Sequence, residues 1–336
     1  MEQNKRRKEL SLAETIERSL QQDYRVALWS KFTRAVKEYR LIRPGDKVCV
    51  CISGGKDSML MALLFKRLLK YGDFPFEAKF LVMDPGYNPI NLQMIKNNLN
   101  ILEIPAVIVK TDIFDIANSQ DESPCYLCAK MRRGALYRIA KNFECNKIAL
   151  GHHYDDVIET TLMNMLNAGS FQTMLPKLPS TNYGGMEVIR PMYLIREADI
   201  IDFKVKHHLS FIQCACRFTE NCAVCDNGGG GSQRAKTKQL IKELKQNYNP
   251  FVEKNIFSSA SKVQLDKILG YEKGKKEYSF LDDYDLKKEK ENKAIKDSNL
   301  EVLAQKKAEE EHKPFEMDCS FEEKYSGTIK RNHRGD

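Results

Sequence analysis

Lys47-Val48-Cys49-Val50-Cys51-Ile52, Ser53-Gly54-Gly55-Lys56-Asp57-Ser58 and Met59-Leu60-Met61-Ala62-Leu63-Leu64-Phe65 follow one another without interruption, and read as strand, glycine turn and helix. That order suits an anion-binding loop. Adjacent glycines reach backbone angles closed to other residues and bring amide N–H groups close to an anion, while the new helix turns its positive dipole end to the same point. Lys56 adds a cation and Ser58 a hydroxyl. The common phosphate loop keeps four residues between its first glycine and Gly-Lys-Ser/Thr. This loop does not, which implies a different nucleotide class.

Outward from the loop, the alternation continues. Residues 76–83 and 106–111 are apolar runs expected as strands, with a helix between them over 91–102. Residues 147–150 predict a fourth strand leading into a helix over 157–166, and 188–192 a fifth, followed by a helix over 196–208. Nearly continuous apolar strands alternating with helices predict an α/β fold, a doubly wound parallel sheet of about five strands with helices on both faces. Such sheets bind ligands beyond the carboxyl ends of their strands. The glycine loop and Asp84 both fall there. Asp84, before Pro85-Gly86, suits a nucleotide or Mg²⁺ ligand and equally a turn former. The stretch 176–179 and the pair Gly184-Gly185 read as loop.

Before the sheet, Ser11-Leu12-Ala13-Glu14 opens a capped helix. Val26, Leu28, Trp29, Phe32 and Val36 then share the buried face of a helix over 24–39. Lys31, Arg34, Lys37 and Arg40 form either a solvated face or a basic surface for RNA. Further helices are expected over 233–248 and 250–257. Mixed charge beyond Gly270, as in Lys306-Lys307-Ala308-Glu309-Glu310-Glu311, predicts a mobile or loosely helical tail. The expected organisation is a helical segment over 1–41, a nucleotide-binding catalytic domain over 42–260 and a charged tail over 261–336.

The chain has 336 residues, 42% of them hydrophobic, enough to bury a core. No apolar run approaches the ~20 residues that span a bilayer, and the charged amino terminus has no signal core behind it. A cytoplasmic protein without membrane contact is expected. A formal charge of +8 fits a polyanionic partner. Ten cysteines in such a chain point to metal or redox chemistry rather than to disulfides.

Their spacing carries the chemistry. Cys125-Tyr126-Leu127-Cys128 can direct two sulfurs to one ion, form a redox pair, or simply pack on a helix. Arg132 and Arg133 follow, and cations stabilise thiolates and clamp phosphates. Leu150-Gly151-His152-His153-Tyr154-Asp155-Asp156 gathers proton carriers and cation ligands at a strand end, although the Asp pair could equally cap the next helix. Further along, Cys214, Cys216, Cys222 and Cys225 stand close enough for a closed four-sulfur zinc site.

These stretches together resemble one family. Ser53 to Ser58 looks like the PP-loop of the adenylating ATP pyrophosphatases. Cys125-x-x-Cys128 with Arg132-Arg133-Gly134-x-Leu136-Tyr137-Arg138 resembles the tRNA 2-thiocytidine synthetase branch of that superfamily, and Leu150-Gly151-His152-His153-x-Asp155-Asp156 resembles its second signature. The resemblance spans residues 24–258. It implies an ATP-dependent tRNA sulfurtransferase that adenylates C2 of an anticodon-loop cytidine and exchanges its oxygen for sulfur. ATP and Mg²⁺ would be held by Ser53, Gly54, Gly55, Lys56, Asp57 and Ser58 with Asp84 and His152. Asp57, Arg132 and Asp156 would be catalytic.

By the same resemblance Cys125, Cys128 and Cys222 would hold a [4Fe-4S] cluster with one open iron for sulfide. Relatives place Pro-Cys-x-x-Cys shortly before Ser-Gln. Cys222-x-x-Cys225 with Ser232-Gln233 is the nearest match but lacks the proline, so Cys214, Cys216 and Cys225 remain rivals of Cys222. The implied partners are tRNA and a sulfur donor such as a cysteine desulfurase, and a homodimer is left open. Two alternatives stand: a tRNA-lysidine synthetase-like ligase, which needs no cluster, and a zinc-stabilised, non-catalytic RNA-binding protein.

Overall fold

In the computed structural model, residues 10–118, 124–212, 233–285 and 287–290 are described, and they divide into two compact units at Lys262/Val263. The first opens with α1 (Leu12–Ser19), started by the expected capping box: Glu14 N donates to Ser11 Oγ at 3.1 Å, and Ser11 N to Glu14 Oε2 at 2.8 Å. A π-helical turn, Arg25–Trp29, leads into α2 (Ser30–Glu38). The wider turn breaks the 3.6-residue register. Leu28, Phe32 and Val36 are buried as expected, but Val26 is 78% exposed, which corrects its placement on the core face.

The sheet region runs β1 (Lys47–Ile52), α3 (Lys56–Tyr71), β2 (Glu77–Asp84), α4 (Pro89–Ile101), β3 (Ala106–Lys110), α5 (Ile113–Asn118), α6 (Pro124–Asn142), β4 (Lys147–Ala149), α7 (Tyr154–Asn167), β5 (Lys177–Pro179), β6 (Glu187–Ile189) and α8 (Glu197–Lys206). After these come α9 (Gln233–Asn247) and α10 (Val252–Ser259). The strand order is β3-β2-β1-β4-β6-β5. All neighbours are parallel except β5, which pairs antiparallel with β6. The sheet therefore has six strands instead of about five. The added one, β5, is a three-residue edge strand ending in Pro179, too short and proline-bound to show alternation.

β1 is the hub because both of its faces are buried. Val48, Val50 and Ile52 enter one core cluster with α3, whereas Cys49 and Cys51 enter a second with Ala135, Ile139 and Ala140 of α6. Helices thus cover both faces of the sheet, as a doubly wound fold requires. The first cluster also takes Ile16, Leu20, Leu28 and Phe32, so the N-terminal helices share the core of the sheet domain. Strand order reverses between β1 and β4. The crevice beyond their carboxyl ends is the switch point at which such sheets bind ligands.

The second unit contains the hairpin β7 (Gly270–Lys273) and β8 (Lys276–Ser279), turned at Gly274, where φ is +69°. Tyr271 and Tyr278 stack across it at 4.7 Å. Charge density places this stretch in a mobile or loosely helical tail; the structure has a hairpin there, carrying a cross-strand tyrosine pair of the kind that stabilises a two-stranded ladder. Residues 291–336 lie outside the described residues. No helix among the described residues is long and apolar enough to cross a membrane.

Candidate active site

The loop after β1 is held in a tight glycine turn. Gly54 has φ +85°, and a Cβ there would stand 2.6 Å from Ile95 Cγ1 and 2.8 Å from Ile212 Cδ1, so only glycine fits. Gly55 begins α3. Ser58 Oγ accepts from Ser53 N at 3.1 Å and donates to the Gly55 carbonyl at 3.0 Å, closing the loop on itself. The loop after β4 comes close to the same point. A Cβ on Gly151 would meet Asp57 C and Ser58 N at 3.2 Å, so a bare backbone is what lets the two loops approach.

Between them lies a cavity of about 330 Å³. Ser53, Asp57 and Ser58 line it from the first loop and Gly151, His152 and Asp156 from the second. Arg132 and Leu136 reach in from α6, and Cys51 and Met83 complete the wall. Six of the expected site residues therefore converge: Ser53, Asp57, Ser58, Arg132, His152 and Asp156. Gly54, Gly55 and Lys56 belong to the loop but are not part of the lining.

Asp84 is also outside the lining. Its Oδ1 accepts from Gly86 N at 2.9 Å and Tyr87 N at 2.7 Å, the arrangement of a turn former. Cys128 precedes Arg132 by one helical turn on α6, with Cys125 three residues earlier on the same helix. The side chain of Cys125 lies outside the described residues, as do Cys222 and its rivals Cys214, Cys216 and Cys225.

The polar groups are unevenly satisfied. Asp57 Oδ2 pairs with Lys56 Nζ at 3.1 Å, whereas Asp57 Oδ1 is buried with no hydrogen-bond partner, His153 Nε2 standing 3.8 Å away. His152 Nδ1 is likewise buried without a partner. Burial, reinforced by Arg190 and Arg234, pushes His152 down to about 4, so its imidazole is neutral at physiological pH. His153 and Asp156 form a reciprocal cap on α7: His153 N donates to Asp156 Oδ2 at 3.0 Å, and Asp156 N to His153 Nδ1 at 3.4 Å. Asp156 Oδ1 accepts from Arg234 Nη1 at 2.9 Å. Capping and cavity lining, posed as alternatives for the aspartate pair, coexist in Asp156. Asp155 turns away to Arg196 and Glu197 N.

Two further residues, given no role among the expected site residues, shape the site's surroundings. Arg234, from α9, clasps Asp156 and Glu159; the only signal was its place directly after Ser232-Gln233. Glu197 pairs with Lys56 at 3.1 Å and with Lys238. Burial opposes its ionisation, but the hydrogen bonds from Lys238 and Lys56 outweigh this and hold it at about 2. Glu197 thereby tethers the loop lysine to α8 and α9.

The donor set fits a nucleotide with Mg²⁺. Mg²⁺ is commonly held by one or two carboxylates plus substrate phosphates and water. Asp57 Oδ1 offers an unused carboxylate oxygen, and among the described residues no group of three or more His, Cys, Asp or Glu side chains closes around a metal on its own. Phosphate oxygens would have to supply the remaining ligands.

Glycine loop, switch-point cavity and doubly wound sheet together define a nucleotide-binding PP-loop protein, and the PP-loop domain family matches residues 25–216. Among curated proteins, the chain is 37% identical over 234 residues to the tRNA-cytidine(32) 2-sulfurtransferase of Geotalea uraniireducens, covering 69% of this chain and 89% of that one. It is 36% identical over 236 residues to tRNA-cytidine(32) 2-sulfurtransferase 1 of Francisella philomiragia, covering 69% and 87%. The chain belongs to the PP-loop family and, within it, to the sulfurtransferase enzymes that these relatives represent. Among solved structures, the U34-tRNA thiolase NcsA of Methanococcus maripaludis, determined with its [4Fe-4S] cluster, shares the fold with a TM-score of 0.52 at 19% identity, over 70% of this chain and 79% of that one.

Proposed function

We propose that the protein is an ATP-dependent tRNA sulfurtransferase of the cytoplasm that converts an anticodon-loop cytidine to 2-thiocytidine. The observation that carries this reading is the convergence of Asp57, His152 and Asp156 with Arg132, which stands one turn from Cys128, in a single cavity at the switch point. The C2 oxygen of the flipped-out base attacks the α-phosphorus of ATP and pyrophosphate leaves; sulfide then adds at C2, and AMP departs with the original oxygen. A loop base must leave its stack to reach such a cavity.

The residues divide the work by charge and position. The glycine-loop amides and the amino end of α3 receive phosphate. Asp57, through its unpartnered Oδ1, and Asp156 would hold Mg²⁺, which would supply charge neutralisation for the phosphates, and Arg132 neutralises the charge that develops on the departing group. Neutral His152 presents an imidazole able to hydrogen-bond the base edge without repelling a cation. An iron-sulfur cluster on Cys125, Cys128 and Cys222 would supply the sulfide at an open iron. The positions described fit it, since Cys125 and Cys128 occupy i and i+3 of one helix immediately before Arg132.

The deciding experiment starts from protein purified without oxygen. Unmodified tRNA is incubated with ATP, Mg²⁺ and a sulfide source, and nucleosides are read by mass spectrometry, alongside iron and acid-labile sulfide for the wild type and Cys128→Ala. 2-Thiocytidine that requires ATP, with iron and sulfide lost in the variant, is the expected result. Zinc without sulfide, unchanged by the substitution, would overturn the cluster assignment. Lysine incorporation in place of sulfur would overturn thiolation.

A further inference from the structure

At the far end of α3 from the glycine loop, the chain forms a second and larger hollow of about 790 Å³. It is bounded by α2, by residues 40–44 and by the turn after Tyr71. The sixteen residues of α3 span about 24 Å at 1.5 Å each. The hollow therefore sits at the amino ends of β1 and β2 and shares no lining residue with the cavity of Asp57 and Asp156.

Four exposed cations border it, Arg34, Lys37, Arg40 and Arg43, against the single carboxylate of Asp73. Arg34 spends part of its charge on Glu38 at 3.5 Å; among the described residues, Lys37, Arg40 and Arg43 have no ion-pair partner. The rings of Trp29, Tyr71 and Phe74 also line the hollow. Behind two of them lies Arg67, only 3% exposed, its guanidinium 5.0 Å from the Trp29 ring centre and 4.6 Å from that of Tyr71. Arg67 Nε is buried with no hydrogen-bond partner, and Glu17 Oε1 is 3.7 Å from Nη1. The two rings thus hold a buried cation, and that cation holds the rings in place. A merely solvated helix face would account for Arg34 and Lys37. It would account neither for a concave site nor for Arg43, which comes from the link before β1.

Unpaired cations around anchored aromatic rings form the combination that binds nucleic acid: phosphates meet the charges, and bases or riboses rest on the rings. We infer that this hollow is an RNA-binding site, and that in the tRNA substrate it grips backbone about 20 Å from the nucleotide held in the catalytic cavity. The identity of the RNA rests on the thiolation reading; the chemistry of the site does not.

The test compares the full-length protein with Lys37→Ala/Arg43→Ala, measuring the affinity for unmodified tRNA without ATP from 50 to 200 mM KCl. Each lost phosphate contact lowers the slope of log K against log salt by about 0.7 to 0.9. The double variant should lose about 1.4 to 1.8 in slope, so that across this range the wild type loses roughly tenfold more affinity than the variant. ATP affinity and melting temperature should stay as in the wild type. Arg34→Gln/Lys37→Gln repeats the measurement should Arg43→Ala disturb the link. Equal slopes and affinities, with tRNA bound and thiolated, overturn the hollow while leaving the thiolation reading intact. A wild type that binds no tRNA overturns both. A change of oligomeric state with tRNA affinity unchanged shows a protein interface instead and overturns the inference.

Discussion

At the scale of single residues, the site combines positions forced by geometry with positions chosen for charge. Gly54 is forced. Its φ of +85° and the 2.6 Å approach of Ile95 leave no room for a methyl group. Gly54→Ala should cost about 1–3 kcal/mol through strain and overpacking, and should abolish ATP binding, measurable by calorimetry and thermal melting. His152 is chosen for charge. Its folded value of about 4 lies below the ordinary 6.5, so as pH falls from 6.5 towards 4 the unfolded chain takes up a proton that the folded chain refuses. Stability should fall over that window, and His152→Gln should flatten the decline in a pH series of melting curves. The glycine turn was legible because a left-handed backbone favours glycine, and the capping reading of Asp156 because an aspartate in a first helical turn satisfies free amides. Asp84 was ambiguous because an aspartate before Pro-Gly has an ordinary turn role, and the two backbone N–H donors on its Oδ1 show that role filled.

At the scale of elements, the strands and helices that carry the site were readable from apolar runs, because a strand buried on both faces has no polar partner to blur it. Joints between elements were not. The π-helical turn that exposes Val26 starts at Tyr24, which bonds Asp202, and the clasp of Glu197 joins α3 to α9. Both involve contacts far apart in sequence, whereas the edge strand β5 is too short to carry a pattern. The clasp makes a specific prediction. Glu197 is held at about 2, below its ordinary 4.5, so its contribution is complete above pH 4.5 and disappears as pH falls through 2. Glu197→Gln should lower stability by about 1.5–3 kcal/mol at pH 7, the usual worth of hydrogen bonds to charged groups. The gap to the wild type should narrow below pH 4, as denaturant titrations at both pH values would show. Freed from Glu197, Lys56 keeps only Asp57, so the variant's ATP affinity should change along with its stability.

At the scale of the molecule, composition divides the chain differently from the core. The first 41 residues look separable in sequence because they are polar and charged, with their apolar positions spread thinly at helical spacing. In the fold, Ile16, Leu20, Tyr24, Leu28, Phe32, Val36 and Leu41 all lie in the cluster that contains β1 and α3. At about 1.5–3 kcal/mol for each fully buried side chain, these seven contribute on the order of 10–20 kcal/mol. That equals or exceeds the ~5–15 kcal/mol by which a typical domain is stable. A chain beginning at residue 42 should therefore fail to fold, giving no cooperative thermal transition and no soluble monomer. The other end predicts the opposite. Among the described residues every buried hydrophobic side chain of the core lies between Ala13 and Ile241, so a chain ending at Lys262 loses none of these. It should unfold cooperatively within a few degrees of the full-length protein and bind ATP with the same affinity. A truncation at Lys262 that melted without cooperativity would mean that residues beyond the sheet domain supply core energy, contrary to the burial pattern.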